Sequence, residues 1–353
     1  MDKKYYTIYE QLRLSILNGD YASGSKLPSK RSMADRWGCS VVTVASAYAL
    51  LEQEGYIVSR QRSGYFVCRI DAPAAIKKEV QPLIEHLNTD EQEPAEPLEY
   101  SLWFKTVRKV MAERGQELFA RSPNKGCAVL RNAIADYLWR YRGMVAQPRQ
   151  IIIGSGAEQL YESVIKLLGR EKVYGIENPC YEQIKAVYTG EGARVCRLNM
   201  GRDGIVSEIL WNEHFDVLHV TPFNSYPSGI TAGISKRCEY LSWAEKNGGY
   251  IVEDDFASEF FLPGFPIRSL YSLDNNNSVI YINTFSKSLS PSMRMGYMIL
   301  PEALLTLYEE KLGAYSCTVP VFEQYVLAEF ISNGYFERHL NRVRRRMKEN
   351  DAT

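Results

Sequence analysis

Lys287 stands in the stretch NTFSKSLSPSMRMGY (residues 283–297), between the hydroxyls of Ser286 and Ser288, with Arg294 seven residues later and Gly296 two beyond that. A lysine amine can add to a carbonyl carbon and hold a ligand covalently, whereas a lone lysine among serines is ordinarily a solvated surface residue. Its company separates the two readings. Three further stretches carry groups suited to a ligand: Ser155-Gly156-Ala157 after IIIG, Asn178-Pro179-Cys180-Tyr181 after YGIE, and Asp254 after YIVE. At Ser155-Gly156-Ala157 the first turn of a helix would present free backbone N–H groups and the positive end of its dipole to a phosphate.

Each stretch follows an apolar run. From about Glu99 onward the runs QIIIG, KVYGIE, DVLHVTP, GYIVEDD, SVIYIN and YMIL alternate with helical stretches such as AEQLYESVIKLLG. That alternation predicts an α/β domain with a mainly parallel sheet flanked by helices. In such sheets ligands gather beyond the carboxyl ends of the strands, where all four stretches fall.

Together and in this order, the four stretches resemble the fold-type I family of pyridoxal 5'-phosphate (PLP) enzymes, the aminotransferase fold, over roughly residues 120–345. The resemblance implies that Lys287 forms a Schiff base with the cofactor aldehyde and that Asp254 keeps the pyridine nitrogen protonated. It further implies that Tyr181 stacks on the ring. Arg294, the hydroxyls of Thr284 and Ser286 and the amides of Gly156 and Ala157 then hold the phosphate.

The match has departures. Relatives with the sequence EDDY bond the ring hydroxyl through that tyrosine, but here Phe256 takes its place in EDDFASEF. In TPFNSYPSG, Tyr226 occupies the position of an asparagine that serves the same oxygen, and offers a substitute hydroxyl; Asn224 is a neighbouring candidate. Ala257 and Phe261 replace acidic and basic residues, so an ion pair near the site is expected to be missing. After GYFERHLNRVRRRMKEN, relatives continue into a small domain carrying the arginine that grips a substrate carboxylate. The expectation is a truncated small domain, no carboxylate clamp and poor transamination.

Residues 1–70 have a different grain. Ile8, Leu12 and Ile16 recur every four residues and predict one amphipathic helix. Ser29 and Gly38 bracket a second helix, and Ser40 caps a third after a three-residue break. YIVSR and GYFVCR, joined at QRSG, predict a hairpin. Helix, helix, turn, helix, hairpin outlines a winged helix-turn-helix, and LPSKRSMADRWGCSVVTVASAYALLEQEGYIVSRQRSGYFV resembles the GntR family of winged-helix regulators. Ser40, Thr43 and Ser46 are the candidates for the major groove, Lys30 and Arg31 for phosphates, and Arg62, Ser63 and Gly64 for the minor groove. Val41 stands where relatives often carry arginine.

Charge supports the division. Formal charge cancels overall, with 42 basic and 42 acidic residues, yet residues 1–70 hold ten Lys/Arg against six Asp/Glu, and residues 71–97 hold two against seven with four prolines. We therefore expect a DNA-binding domain at 1–70, a linker at 71–98 and an aminotransferase-like domain at 99–353. The seven cysteines form no CxxC pair and only four histidines accompany them, so no metal site is expected and free thiols fit a cytoplasmic protein. No signal-peptide pattern or spanning apolar run is present.

A GntR-like head on an aminotransferase-like body is the arrangement of the MocR subfamily of bacterial transcription regulators, which this chain resembles. The resemblance implies a homodimer on operator DNA, with PLP or its adduct with an amino compound as effector and the body used for sensing more than turnover. Two alternatives stand beside it. One is an aminotransferase with a DNA-binding appendage; the other is a regulator whose body no longer binds cofactor.

Overall fold

The computed structural model describes residues 4–60, 63–68, 100–260 and 268–350. The chain divides into two compact units, Met1–Asn88 and Thr89–Thr353. The expected linker and the wing residue Arg62 lie outside the described residues, as does Phe261.

The head is built from α1 (Lys4–Leu17), α2 (Lys30–Trp37), α3 (Val41–Gln53) and the hairpin β1 (Ile57–Arg60) and β2 (Gly64–Val67). The four-residue period of α1 becomes a buried stripe of Ile8, Leu12 and Ile16, joined by Tyr9. Each fully buried aliphatic side chain contributes about 1.5–3 kcal/mol before chain entropy is charged against it. The Ser29 hydroxyl accepts the Ser32 N–H at 3.2 Å and starts α2. Gly38, at φ 54°, stops that helix in a left-handed conformation open to glycine. Ser40 then accepts the Thr43 N–H at 3.2 Å and starts α3. The buried face of α3 is Val44, Ala47, Tyr48 and Leu51, and the Tyr48 hydroxyl donates to the Pro28 carbonyl at 2.8 Å. The hairpin is antiparallel, with Ile57 opposite Val67 and Arg60 opposite Gly64.

The body opens with α4 (Tyr100–Arg114) and α5 (Ala128–Tyr137), then β3 (Ile151–Gly154), α6 (Ala157–Leu168), β4 (Val173–Asn178) and α7 (Glu182–Gly190). It continues with β5 (Arg194–Asn199), α8 (Ser207–Asn212), β6 (Val217–Val220), α9 (Ile234–Asn247), β7 (Tyr250–Asp254) and α10 (Leu270–Leu273). Last come β8 (Val279–Thr284), α11 (Phe285–Ser288), β9 (Gly296–Ile299), α12 (Leu305–Leu312), α13 (Val321–Ser332) and α14 (Tyr335–Asn350). The seven strands form one sheet in the order β3-β9-β8-β7-β6-β4-β5.

Strands β5, β4, β6, β7 and β8 run parallel, while β9 is antiparallel to both β8 and β3. Burial on both faces explains the continuous apolar runs, and side chains alternate between two layers. Ile151, Ile153, Tyr281, Tyr297 and Ile299 pack with α5, α13 and α14. Ile152, Ile280, Ile282 and Met298 pack on the opposite face with α6, α7 and α12. The sheet holds one strand more than the six apolar runs predict. That strand, β5 (RVCRLN), is an edge strand with largely exposed side chains and so carries no apolar run.

Candidate functional site

Strand register decides which residues meet. The parallel strands β4, β7 and β8 end at Asn178, Asp254 and Thr284, with Asp254 paired to Ile282 two residues before the end of β8. Because β3 and β8 are both antiparallel to β9, they share one direction, and Gly154 and Thr284 both pair with Gly296. Gly156 leaves β3 where Arg294 arrives before β9. A Cβ added to Gly156 would lie 3.2 Å from Arg294 Nη2, and its φ is +92°. Glycine serves there for both close approach and conformation. The sequence-predicted residues Gly156, Ala157, Asp254, Thr284, Ser286, Lys287 and Arg294 therefore gather along one sheet edge.

Asp254 is the most constrained of them. Buried at the end of β7, its Oδ2 accepts a short hydrogen bond from the Tyr161 hydroxyl of α6 and lies 3.8 Å from His219 Nε2 of β6. His219 Nδ1 is in turn hydrogen-bonded to the Tyr188 hydroxyl at 2.8 Å. Burial first, then the Asp254 carboxylate, raises the Tyr161 hydroxyl well above the ordinary tyrosine range, so it stays a donor. Among the described residues, no hydrogen-bond partner reaches Asp254 Oδ1. A buried carboxylate oxygen without a donor is costly unless a ligand supplies one.

Lys287 lies exposed in the single turn α11, its ammonium 4.9 Å from the ring centre of Phe256 and 5.9 Å from that of Phe260. Phe256, which replaces a tyrosine in the resemblance, thus faces the lysine with its ring. Thr284 is buried at the end of β8. The Ser286 hydroxyl donates to the Met293 carbonyl at 2.9 Å and braces the loop that carries Arg294. Arg294 Nη2 is itself taken by Glu158 Oε2 at 2.6 Å. Ser155, beside Gly156, accepts from the Thr318 hydroxyl at 2.9 Å.

The aromatic wall is Tyr181, edge-on to Tyr226 with ring centres 6.0 Å apart. Burial and then the Glu158 charge push the Tyr181 hydroxyl up, with Arg294 opposing, which reports how near these three residues lie. Tyr226 is 61% exposed, and Asn224 sits in a left-handed turn with φ 52°, exposed, its N–H donating to the Thr231 hydroxyl. The turn that carries both is anchored from below: the Ser225 hydroxyl donates to the buried Glu177 carboxyl at 2.6 Å. Burial pushes Glu177 up to about 8.

The expected gap in charge around Ala257 is filled from elsewhere. Arg142 reaches Asp255 at 2.9 Å and Glu259 at 3.5 Å, all three side chains being largely buried. Arg142 also donates to the Ser258 hydroxyl, and Arg344 of α14 donates to the Glu259 carbonyl. An ion pair thus flanks buried Ala257, and the expectation of a missing pair is corrected. Arg142 lies more than a hundred residues upstream in the chain, where local sequence gives no pairing signal.

On the head, the candidate groove-reading hydroxyls are already engaged locally. Ser40 caps α3 and bonds the Thr43 hydroxyl at 2.8 Å, and Ser46 donates to the Val42 carbonyl. Lys30 lies over the Tyr65 ring at 5.0 Å, while Arg31 is exposed on α2. Ser63 donates its N–H to Arg60, and Gly64, at φ +110°, packs against the Lys26 side chain. Val42 is 75% exposed at the start of α3, an apolar side chain where a thymine methyl could meet it.

Sequence reasoning passed over Tyr161, His219, Glu158, Thr318 and Val42. His219 carried a signal, as an imidazole inside the apolar run DVLHVTP. Tyr161, four residues after Ala157, reads as helix core until the fold brings β7 beneath it.

Residues 4–67 match the family described as bacterial regulatory proteins, gntR family. Across its length the chain is 33% identical over 360 residues to the HTH-type transcriptional regulator YdeL of Bacillus subtilis, covering 99% of this chain and 77% of that one. It is 29% identical over 362 residues to the probable rhizopine catabolism regulatory protein MocR of Rhizobium meliloti, covering 96% and 73%. In structure it resembles the α-aminoadipate aminotransferase LysN of Thermus thermophilus, solved with N-(5'-phosphopyridoxyl)-L-leucine, with TM-score 0.62 and 28% identity. That likeness covers 70% of this chain and spans 64% of LysN, under two thirds of its length. No described helix is long and apolar enough to cross a membrane. With a GntR helix-turn-helix head, a fold-type I aminotransferase-like body and regulators as relatives along its whole length, the chain belongs to the MocR subfamily of GntR-type transcription regulators.

Proposed function

We propose that the body binds PLP through Lys287 and that PLP, alone or joined to an amino compound, alters how the protein engages its operator DNA. The observation that carries this reading is Asp254 Oδ1, a buried carboxylate oxygen without a donor at a strand end shared with an exposed lysine and an arginine. A pyridinium N–H would satisfy that oxygen, and the residues present fit the group. PLP would supply an aldehyde for an amine to attack and an electron-poor ring.

The chain's own groups do the rest. Lys287 Nζ is the nucleophile, held beside Phe256 and Phe260. Tyr161 fixes Oδ2 of Asp254, which leaves Oδ1 for the ring. Arg294 and the N–H groups of Gly156 and Ala157 receive the phosphate at the start of α6. Thr284 contributes its hydroxyl, and Ser286 joins only by exchanging its bond to Met293. Tyr181 covers the ring, with Tyr226 and Asn224 on the adjoining turn. On the head, Lys30, Arg31, Ser40, Thr43, Ser46, Arg62, Ser63 and Gly64 form the DNA face, with Arg31 and Lys30 holding phosphates.

The protein acts as a cytoplasmic homodimer, so that two heads meet two half-sites. Large exposed apolar side chains on the body, among them Phe104, Met111 and Phe119, which is 90% exposed, support a buried subunit interface. A ligand shifts the DNA-binding equilibrium only by its difference in affinity for two arrangements. The test is DNA retardation by the full chain with and without PLP. A change in apparent affinity supports the sensing role; identical retardation at saturating PLP contradicts it.

A further inference from the structure

The proposed phosphate clamp already holds an anion of the protein's own. Glu158 is the second residue of α6, within the first turn where the helix dipole favours negative charge. Its Oε2 takes the Arg294 Nη2 donor at 2.6 Å. The same guanidinium lies against Gly156, so close that a Cβ there would stand 3.3 Å from Arg294 Cζ. The carboxylate therefore uses the donor and the helix end that a phosphate would use. The pair is also exchangeable, since the Arg294 and Glu158 side chains are 55% and 41% exposed, and surface ion pairs are weak.

Resting on the PLP reading above, we propose that Glu158 is a built-in competitor for the phosphate site, which lowers affinity for phosphorylated ligands and narrows the preference for PLP over unphosphorylated pyridoxal. A phosphate dianion and a carboxylate cannot share one guanidinium without like-charge repulsion, so Glu158 must swing out when phosphate enters. Tyr181, within electrostatic reach of both Glu158 and Arg294, borders the space it vacates. The consequence suits a sensor: an enzyme retains its cofactor, whereas a sensor must release it as concentration falls. Glu158 makes retention weaker without touching the covalent anchor or the ring carboxylate.

The test measures equilibrium binding of PLP, pyridoxal and inorganic phosphate to the full chain, as wild type, Glu158→Gln and Glu158→Ala. Removing a competing charge-assisted bond should tighten PLP and inorganic phosphate about tenfold in both variants, the scale of ~1.4 kcal/mol, with pyridoxal changed less than about twofold. Unchanged or weaker phosphate binding in both variants overturns the proposal. Tightening in Glu158→Gln alone also overturns it, because a new amide donor would then be the cause. If no protein binds either aldehyde, the PLP reading fails instead, and the inorganic-phosphate arm still decides the role of Glu158.

Discussion

Tyr161 and Asp254 form the tightest polar contact at the sheet edge: the tyrosine hydroxyl donates to Oδ2, while Oδ1 of the same buried carboxylate takes no protein donor. One oxygen is fixed by the fold and the other is left for something else. Removing the first should expose how much the fold depends on it. Tyr161→Phe leaves a buried carboxylate poorer by one charge-assisted bond, and a loss of about 1–3 kcal/mol in unfolding free energy of the body is expected. Urea denaturation of the full chain measures it. An unchanged midpoint would mean that the contact contributes nothing to stability.

Buried carboxyl groups give the body a pH-dependent stability. Glu177 is pushed up to about 8 by burial, and burial also raises Glu253 and Glu259. An unfolded glutamate ionises near ~4.3, so the unfolded chain loses protons first as pH rises. The stability these groups contribute is therefore full below that range and is lost as pH climbs through about 8 for Glu177. Thermal unfolding should give a Tm that falls over this window, with a shallower fall in Glu177→Gln. An equal slope in that variant would contradict the assignment to Glu177.

Ser40 serves the head twice, as cap of α3 and as a polar group at the proposed DNA face. Ser40→Ala should cost about 1 kcal/mol of head stability through the lost cap. Ser40→Asp keeps a capping oxygen but brings negative charge toward DNA phosphates, so it should fold like wild type and bind DNA more weakly. Paired thermal melts and retardation assays separate the two effects. Weakened DNA binding in Ser40→Ala with no change in stability would show that the hydroxyl reads DNA directly.

Arg31 is exposed at the start of α2, placed to neutralise a phosphate. Arg31→Ala should weaken binding to operator and non-operator DNA alike and lower the log–log salt slope by about 1. Fluorescence anisotropy across a salt series reads both. Loss confined to the operator would assign Arg31 to base recognition instead.

The parts legible in the sequence were those governed by local chemistry. Ser29, Gly38 and Ser40 mark helix ends because caps act within three or four residues. Lys287, Asp254 and Gly156 follow apolar runs, and position at a strand end follows from those runs alone. Long-range pairing was not legible. Arg142 joins Asp255 and Glu259 across more than a hundred residues. Glu158 meets Arg294 only because β9 turns antiparallel and delivers the arginine to the start of α6. Strand β5 escaped notice because an edge strand need not be apolar on both faces. The groups that tune the site, Tyr161 and His219, look like core residues until the register sets them around Asp254.

The central proposal is a covalent bond between Lys287 and an aldehyde ligand, and intact-mass spectrometry after borohydride reduction in saturating PLP tests it most directly. Expected is one reduced phosphopyridoxyl group per wild-type chain, mapped to Lys287 by peptide analysis and lost in Lys287→Ala. An unmodified wild-type chain, or an adduct that persists in Lys287→Ala, would contradict it.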